Sequence, residues 1–362
     1  MTDVFLVKPP RPAPVKTEGV GPWIRTNLFA SIPNTVLSII ILGLLVWAAS
    51  GIVRWGIVHA VFAADADMCQ AARGLGACWG VVNEKARLIV LGRYPLSEHW
   101  RAELATALLL GLVVASCSRY FWKPWLVLLW AAVLAAFFTL MSGGVLGLPK
   151  VTTDQWGGLP LTIMLTVISM TLAFPIAMAV ALGRRSNMPA IKSVCVVYVE
   201  LIRGVPLISV LFMASFMFPL FMPPGTSPDV LVRVIIGITL FAAAYMAEII
   251  RGGLQSLSKG QTEAAASLGL GYWQTQIKIV LPQALGTVVP SIMNNFISLF
   301  KDTSLASAVA LPELLKEATD AQSLYANPTP LIGAALVYVA FLWPMVRLVG
   351  ILEERFSRQK TR

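Results

Sequence analysis

The sequence predicts an all-α integral membrane protein with about eight transmembrane helices. Three observations lead there. The 362 residues are 57% hydrophobic and 13% charged, with a mean hydropathy of +0.75. Soluble domains carry about 25% charged residues, and half that share is too little to coat a globule of this size. Second, the stretches 26–53, 124–149, 155–183, 204–228, 279–300 and 321–346 contain no Asp, Glu, Lys or Arg. A helix crossing the bilayer core needs about 20 apolar residues. Third, the basic residues gather between those stretches. The net charge of +10 therefore reports topology rather than an anionic partner. An ordinary soluble enzyme, a disordered chain and a nucleic-acid-binding domain are all disfavoured as leading readings.

The elements follow in chain order. Residues 1–25 are polar and Pro-rich, with Pro9, Pro10, Pro12 and Pro14. They read as a cytoplasmic tail rather than a signal peptide, because the apolar run behind them is too long for a signal core. A signal-anchor helix is expected near 30–50. The stretch 54–101 is too polar to span and reads as a long outer loop. Further spans are expected at 103–119, flanked by Glu103 and Arg119, and at 124–146. Together, residues 26–150 form an extension of three spans. Five more spans are expected at 159–183, 191–218, 232–251, 281–300 and 330–350, within a core of 155–353. Residues 354–362 close the chain as a second cytoplasmic tail. An even number of spans puts both termini on one side. Lys8, Arg11, Lys16, Arg25, Arg184, Arg185, Lys192 and the basic C-terminal tail weight that side as cytoplasmic. The opposing charges, Arg233 among them, sit mostly in the long outer loop, where they count little. No internal repeat is evident, which weakens an inverted-repeat carrier.

Metal and thiol chemistry are sparse. His59 and His99 are the two histidines, so no His-based metal site is expected. Cys69 and Cys78, in CQAARGLGAC, are either a small disulfide loop in an oxidising compartment or two free thiols. Cys117 and Cys195 fall within spans and read as packing residues.

The most informative stretch is GQTEAAASLGLGYWQTQIKIVLP, residues 260–282. Glu263 sits near a helix start, where a carboxylate complements the helix dipole. Ala264, Ala265 and Ala266 favour helix with little bulk. Gly269 and Gly271 end it, and Ile279, Leu281 and Pro282 begin the next span. The result is a short, small-faced helix of about 260–272 between two spans, suited to docking on another protein. An ordinary interfacial loop helix is the plainer reading.

These residues resemble a pattern of ABC importer permeases: Glu-Ala-Ala, three residues, Gly, nine residues, Ile, one residue, Leu-Pro. It is met at Glu263-Ala264-Ala265, Gly269, Ile279 and Leu281-Pro282. Residues 199–212, VELIRGVPLISVLF, resemble a stretch of the polar amino acid permeases, HisM/GlnP-like, with Ile202 and Val205 replacing Phe and Thr. AYMAEIIRGG at 244–253 and FKDTSLA at 300–306 resemble two more stretches of that family. The added N-terminal spans look most like the AapM-type subunit of general L-amino acid systems, with Bzt-type acidic-amino-acid permeases close behind.

The resemblance implies a type I ABC importer permease core of five helices plus three N-terminal helices. By it, 260–272 is the coupling helix, with Glu263, Ala264, Ala265 and Gly269 meeting an ATPase subunit. The implied function is the membrane subunit of an ATP-driven importer of L-amino acids in the bacterial inner membrane, over a broad or polar and acidic range. The implied partners are a second homologous permease, two copies of an ABC ATPase and a periplasmic amino-acid-binding protein, beside the amino acid substrate and membrane lipids. ATP and magnesium would belong to the ATPase, leaving this chain without a cofactor and without enzymatic activity. The chain has no G-x-x-x-x-G-K-[ST] phosphate loop and no Gly-Lys pair.

Charges inside spans are costly and are usually paired or functional. Glu200 with Arg203, and Glu248 with Arg251, stand three apart and are expected to pair along their helices. Asp302 follows a span that carries Asn294, Asn295 and Ser298. With Thr303 and Ser304 it could hold a zwitterion's two charged ends, or simply cap a helix beside Lys301. Two other classes remain in view. An ion-gradient carrier would need ion sites in broken, repeated helices. A scaffold or intramembrane enzyme would need a catalytic pair beyond these self-matched ones.

Overall fold

The computed structural model describes residues 19–360. Readings that concern 1–18 and 361–362 lie outside the described residues. Those described form helices joined by turns and loops, and the only strand-like pairings among them are isolated bridges, Val61 with Cys78 and Gly158 with Glu313.

A short helix, α1 (Val20–Asn27), precedes α2 (Ile32–Val53). Ser31 caps α2 by accepting the Asn34 N–H at 3.4 Å. No residue of α2 is buried, so its apolar surface faces away from the rest of the chain.

The stretch expected as a long loop contains helices of its own, α3 (Trp79–Leu91) and a shorter one, Ala66–Ala71. Cys69 and Cys78 are joined in a disulfide with Cα atoms 5.6 Å apart. The Cys78 N–H donates to Thr329 Oγ1 at 2.8 Å, and Asn327 Nδ2 donates to the Gly76 carbonyl at 3.2 Å. Sequence separation conceals this docking: the partners stand 251 residues apart.

The helices α4 (His99–Ser116) and α5 (Trp125–Ser142) complete the extension. α5 packs on α4, and α4 on α6 (Gly158–Gly183), whose residues from Gly158 to Met170 are all buried. A helix apolar on every side must be surrounded by others, and α6 is the axis of the bundle. It packs against α9 (Val230–Ser256), and the two helices bring buried alanines to the shared core, Ala173, Ala177 and Ala181 from one and Ala242, Ala243 and Ala247 from the other. Small residues let two backbones approach closely in lipid. Asp229 caps α9, accepting the Leu231 N–H at 2.7 Å and the Thr153 hydroxyl at 2.7 Å.

The span expected at 191–218 is not one helix. It is α7 (Pro189–Arg203) followed by α8 (Leu207–Phe221), bent by 106°. Pro206 offers no N–H and disfavours helical geometry at Val205, so Gly204-Val205-Pro206 breaks the ladder.

The remaining elements are α10 (Gly260–Ser267), α11 (Leu281–Asp302), α12 (Leu314–Tyr325) and α13 (Thr329–Lys360). Gly253 lets α9 and α11 meet: a Cβ there would lie 2.7 Å from Val288 Cγ1 and 2.8 Å from the Ala284 carbonyl oxygen.

Among the described residues, five helices are long and apolar enough to cross a membrane, or six with the bent pair as one span. They are Ile32–Val58, Trp125–Ser142, Gly158–Gly183, Val230–Ser256 and Thr329–Ile351. The expected eight included α4 and α11, which form as helices but are less apolar. Arg101 and Glu103 open the first of these. Gln283, Asn294, Asn295 and Ser298 run along the second.

Candidate functional site

The candidate site begins with α10, which follows α9 after a turn. Ser258 Oγ accepts the Gly260 N–H at 3.2 Å, and the Thr262 hydroxyl donates to the Lys259 carbonyl at 2.7 Å. The helix ends in a Schellman closure. The Leu270 N–H donates to the Ala265 carbonyl at 3.1 Å, and the Gly269 N–H to that of Ala266 at 2.9 Å. Gly269 has a φ of +75°, left-handed geometry that glycine adopts without steric cost.

One face of α10 packs inward through Ala265, which is 1% exposed. Gln261, Glu263, Ala264, Ala266 and Gly269 face outward. Gln283 ties the element to α11, donating to Gln261 Oε1 at 3.2 Å and to the Ile279 carbonyl at 2.9 Å. Beside it, Leu268, Tyr272, Trp273 and Ile277 are all exposed. The result is a firmly closed small helix with one outward carboxylate and an apolar rim.

An ionic cluster joins the helices that lead to α10. Arg184, just past α6, donates to Glu248 Oε2 at 2.6 Å and to Glu200 Oε1 at 3.0 Å. Glu248 also pairs with Arg251, whose Nε lies 3.0 Å from Oε2. Arg185 donates to the Leu254 carbonyl at 3.0 Å. The expected Glu248–Arg251 pair is present. The expected Glu200–Arg203 pair is not: Glu200 turns to Arg184, and the Arg203 guanidinium lies over the Tyr245 ring, 5.5 Å from its centroid. Arg203 is the last residue before the break, so its side chain follows the turn. Arg184 comes from another element and reaches two carboxylates at once, which its forked guanidinium allows. Sequence spacing gave no signal for it, because the partners lie 16 and 64 residues away.

The polar residues of α11 do not converge. Asn294 is exposed, and Asn295 is half-buried with its Nδ2 unpartnered. Thr303 is buried and donates to the Phe300 carbonyl at 2.8 Å, a local turn bond. Asp302 and Ser304 are half-buried at the far end. Seven residues of helix separate Asn295 from Asp302 by roughly 10 Å along the axis. That exceeds the separation of the two charged groups on one amino acid backbone. The cavity near the middle of α11, about 380 Å³, is lined by Leu110, Val113, Met293, Phe296, Phe300 and Phe341 among others, and is apolar.

Sequence reasoning passed over a second group at the other end of the bundle. Glu313 is fully buried and caps α12, accepting the Leu315 and Lys316 N–H groups, each at 2.8 Å. The Tyr338 hydroxyl donates to it at 3.2 Å. Glu317 is 1% exposed, with Arg93 Nε 3.6 Å away. Arg93 also meets Asp320 at 3.3 Å, and Asp320 pairs with Lys316. Burial pushes the Glu313 carboxyl up to about 6 and the Glu317 carboxyl up to about 7. The Glu-x-x-x-Glu spacing on an amphipathic helix was the only hint available. No group of three or more His, Cys, Asp or Glu among the described residues is arranged to hold a metal ion.

Residues 172–358 match the family described as binding-protein-dependent transport system inner membrane component. The chain is 42% identical to the inner membrane amino-acid ABC transporter permease protein YhdY of Escherichia coli over 373 residues, covering 100% of each. It is 34% identical to the glutamate/glutamine/aspartate/asparagine transport system permease protein BztC of Rhodobacter capsulatus, covering 96% of each. A solved amino acid ABC transporter with histidines aligns with 54% of this chain and 90% of its own, at 29% identity and a TM-score of 0.49.

Proposed function

Because the chain belongs to the family of binding-protein-dependent transport system inner membrane components, we propose that it is the permease subunit of an ATP-driven importer of L-amino acids. Its range would be broad, or polar and acidic. This is a translocating subunit, with ATP and magnesium handled by a separate ATPase. The proposed assembly pairs it with a second homologous permease, two ATPase copies and a soluble amino-acid-binding protein. The proposed orientation in the bacterial inner membrane keeps both termini cytoplasmic, with α10 on that side and the disulfide-bearing segment outside. The ion-gradient carrier gains no support from the relatives.

The observation that carries the reading is α10: a closed helix with Glu263, Ala264 and Gly269 outward, held between two long helices. Closure of a nucleotide-bound ATPase against it would push on both. Gly253 seats α9 directly on α11, so the push is transmitted rather than absorbed. Arg184 holds the end of α6 to α7 and α9, so these would shift as a set between two packings. The bend at Gly204–Pro206 lets α8 reorient without unwinding α7. Asn294, Asn295, Asp302, Thr303 and Ser304 remain candidates for the substrate path. Their spread along α11 favours successive contacts, or a site shared with the partner permease.

Co-expression with neighbouring subunits, followed by reconstitution, tests this. Glu263→Ala should lower ATPase retention or coupling while insertion is preserved. Full retention and coupling would overturn the role given to α10.

A further inference from the structure

Arg233 is the fourth residue of α9, about 4.5 Å along the axis from the helix start. The sequence counts it among the charges on the outer side; it is 8% exposed. Its Nη1 donates to the Ser215 carbonyl, and its Nε has no partner. No ion pair among the described residues involves it. The Ser215 hydroxyl is likewise buried without a partner. Removing a guanidinium from water without a counter-ion is unfavourable, so an anion from outside the described residues would stabilise it.

Arg233 lines a cavity of about 420 Å³ between the α7–α8 bend, α8 and α9. Its walls include Val210, Met213, Met217, Phe218, Ile236 and Leu240, and Arg233 is its only charged residue among the described ones. From Arg233 to Leu240 the cavity follows α9 for roughly 10 Å. The charge stands one turn from the start of a long apolar helix, where a spanning helix would meet lipid headgroups, and the apolar wall runs from there along the helix. A zwitterionic amino acid would find no carboxylate here for its ammonium.

We propose that this cavity binds an anionic phospholipid, with the phosphodiester on Arg233 and one acyl chain along the α8–α9 wall. Charge complementarity supplies the head contact, and the apolar wall supplies the tail contact. The inference does not depend on which substrate is transported.

The test uses the full chain purified with its co-expressed subunits and stripped of lipid by detergent washing. Native mass spectrometry then follows rebinding of dioleoylphosphatidylglycerol and dioleoylphosphatidylcholine. The wild type should prefer the anionic lipid by about tenfold. Arg233→Gln should bring that preference close to unity. Ile236→Trp, which fills the cavity and leaves the charge, should lower occupancy by both lipids. Equal binding of the two lipids by the wild type, or an undiminished preference in Arg233→Gln, would overturn the proposal. So would displacement of phosphatidylglycerol by free glutamate, which would assign Arg233 to a substrate carboxylate. If Arg233→Gln does not assemble, unchanged phosphatidylglycerol retention in Ile236→Trp overturns it.

Discussion

Gly269→Ala isolates one physical quantity at α10. The φ of +75° at Gly269 lies in the left-handed region, and a Cβ built there meets nothing within 4 Å. The cost is therefore conformational rather than a clash. Placing an L-residue with a Cβ in that region costs roughly 1–2 kcal/mol. The hydrogen bonds at risk are those from Gly269 and Leu270 to the carbonyls of Ala266 and Ala265. A loss of that size changes the closed-to-open ratio of the helix end by a factor of about 5–30. Amide exchange at Leu270 should accelerate by that factor, with little change in the buried stretch of α6. Coupled ATP hydrolysis in the reconstituted complex should fall in parallel. Gly269→Asn should recover part of both, because asparagine tolerates left-handed geometry better than alanine. If alanine matches glycine in exchange and in coupling, the closure is not what shapes this element.

Two further perturbations address the charged clusters. Arg184→Ala removes both links from α6 to α7 and α9 and leaves Glu248 with Arg251. It should lower the thermal unfolding midpoint more than Arg203→Ala, which removes a ring contact of about 0.5–1 kcal/mol and a longer-range attraction to Glu248; the reverse order would refute the bridging role. At the other end, an unfolded glutamate releases its proton near 4.5, whereas Glu313 and Glu317 hold theirs to about 6 and about 7. Over that window the folded state binds more protons, so its stability falls as pH rises from about 4.5 through 7. For Glu317 the effect is at most roughly 3 kcal/mol. Amide exchange in α12 and α3, corrected for its intrinsic pH dependence, should be slowest near pH 5 and faster at pH 8, with a flatter profile in Glu317→Gln. An unaltered profile in that variant would assign the pH response elsewhere.

Periodicity and charge made some of this legible in the sequence. The short helix between two spans, and its end at Gly269, follow from three alanines, a leading carboxylate and a glycine stop. All of these are local effects. The bend at Gly204–Pro206 was also written locally. It was missed because the hydrophobic run continues through it: apolarity reports burial in lipid or protein, not straightness. The Glu200–Arg203 pairing failed for a different reason. Three-residue spacing makes a pair available on a helix, but a better-placed partner from another element takes the carboxylate.

Composition and apolar runs determined by themselves that this is a helical membrane protein, because solvation by lipid acts on each segment separately. The α10 motif pointed to family membership in the same local way. Only the tertiary structure decided which charges meet across the bundle. Arg184 spans α7 and α9, Arg93 and Glu317 join the segment before α4 to α12, and Arg233 is buried without a counter-ion among the described residues. A buried charge takes its free energy from groups brought close by folding, whatever their distance along the chain. No pattern along the sequence carries that information.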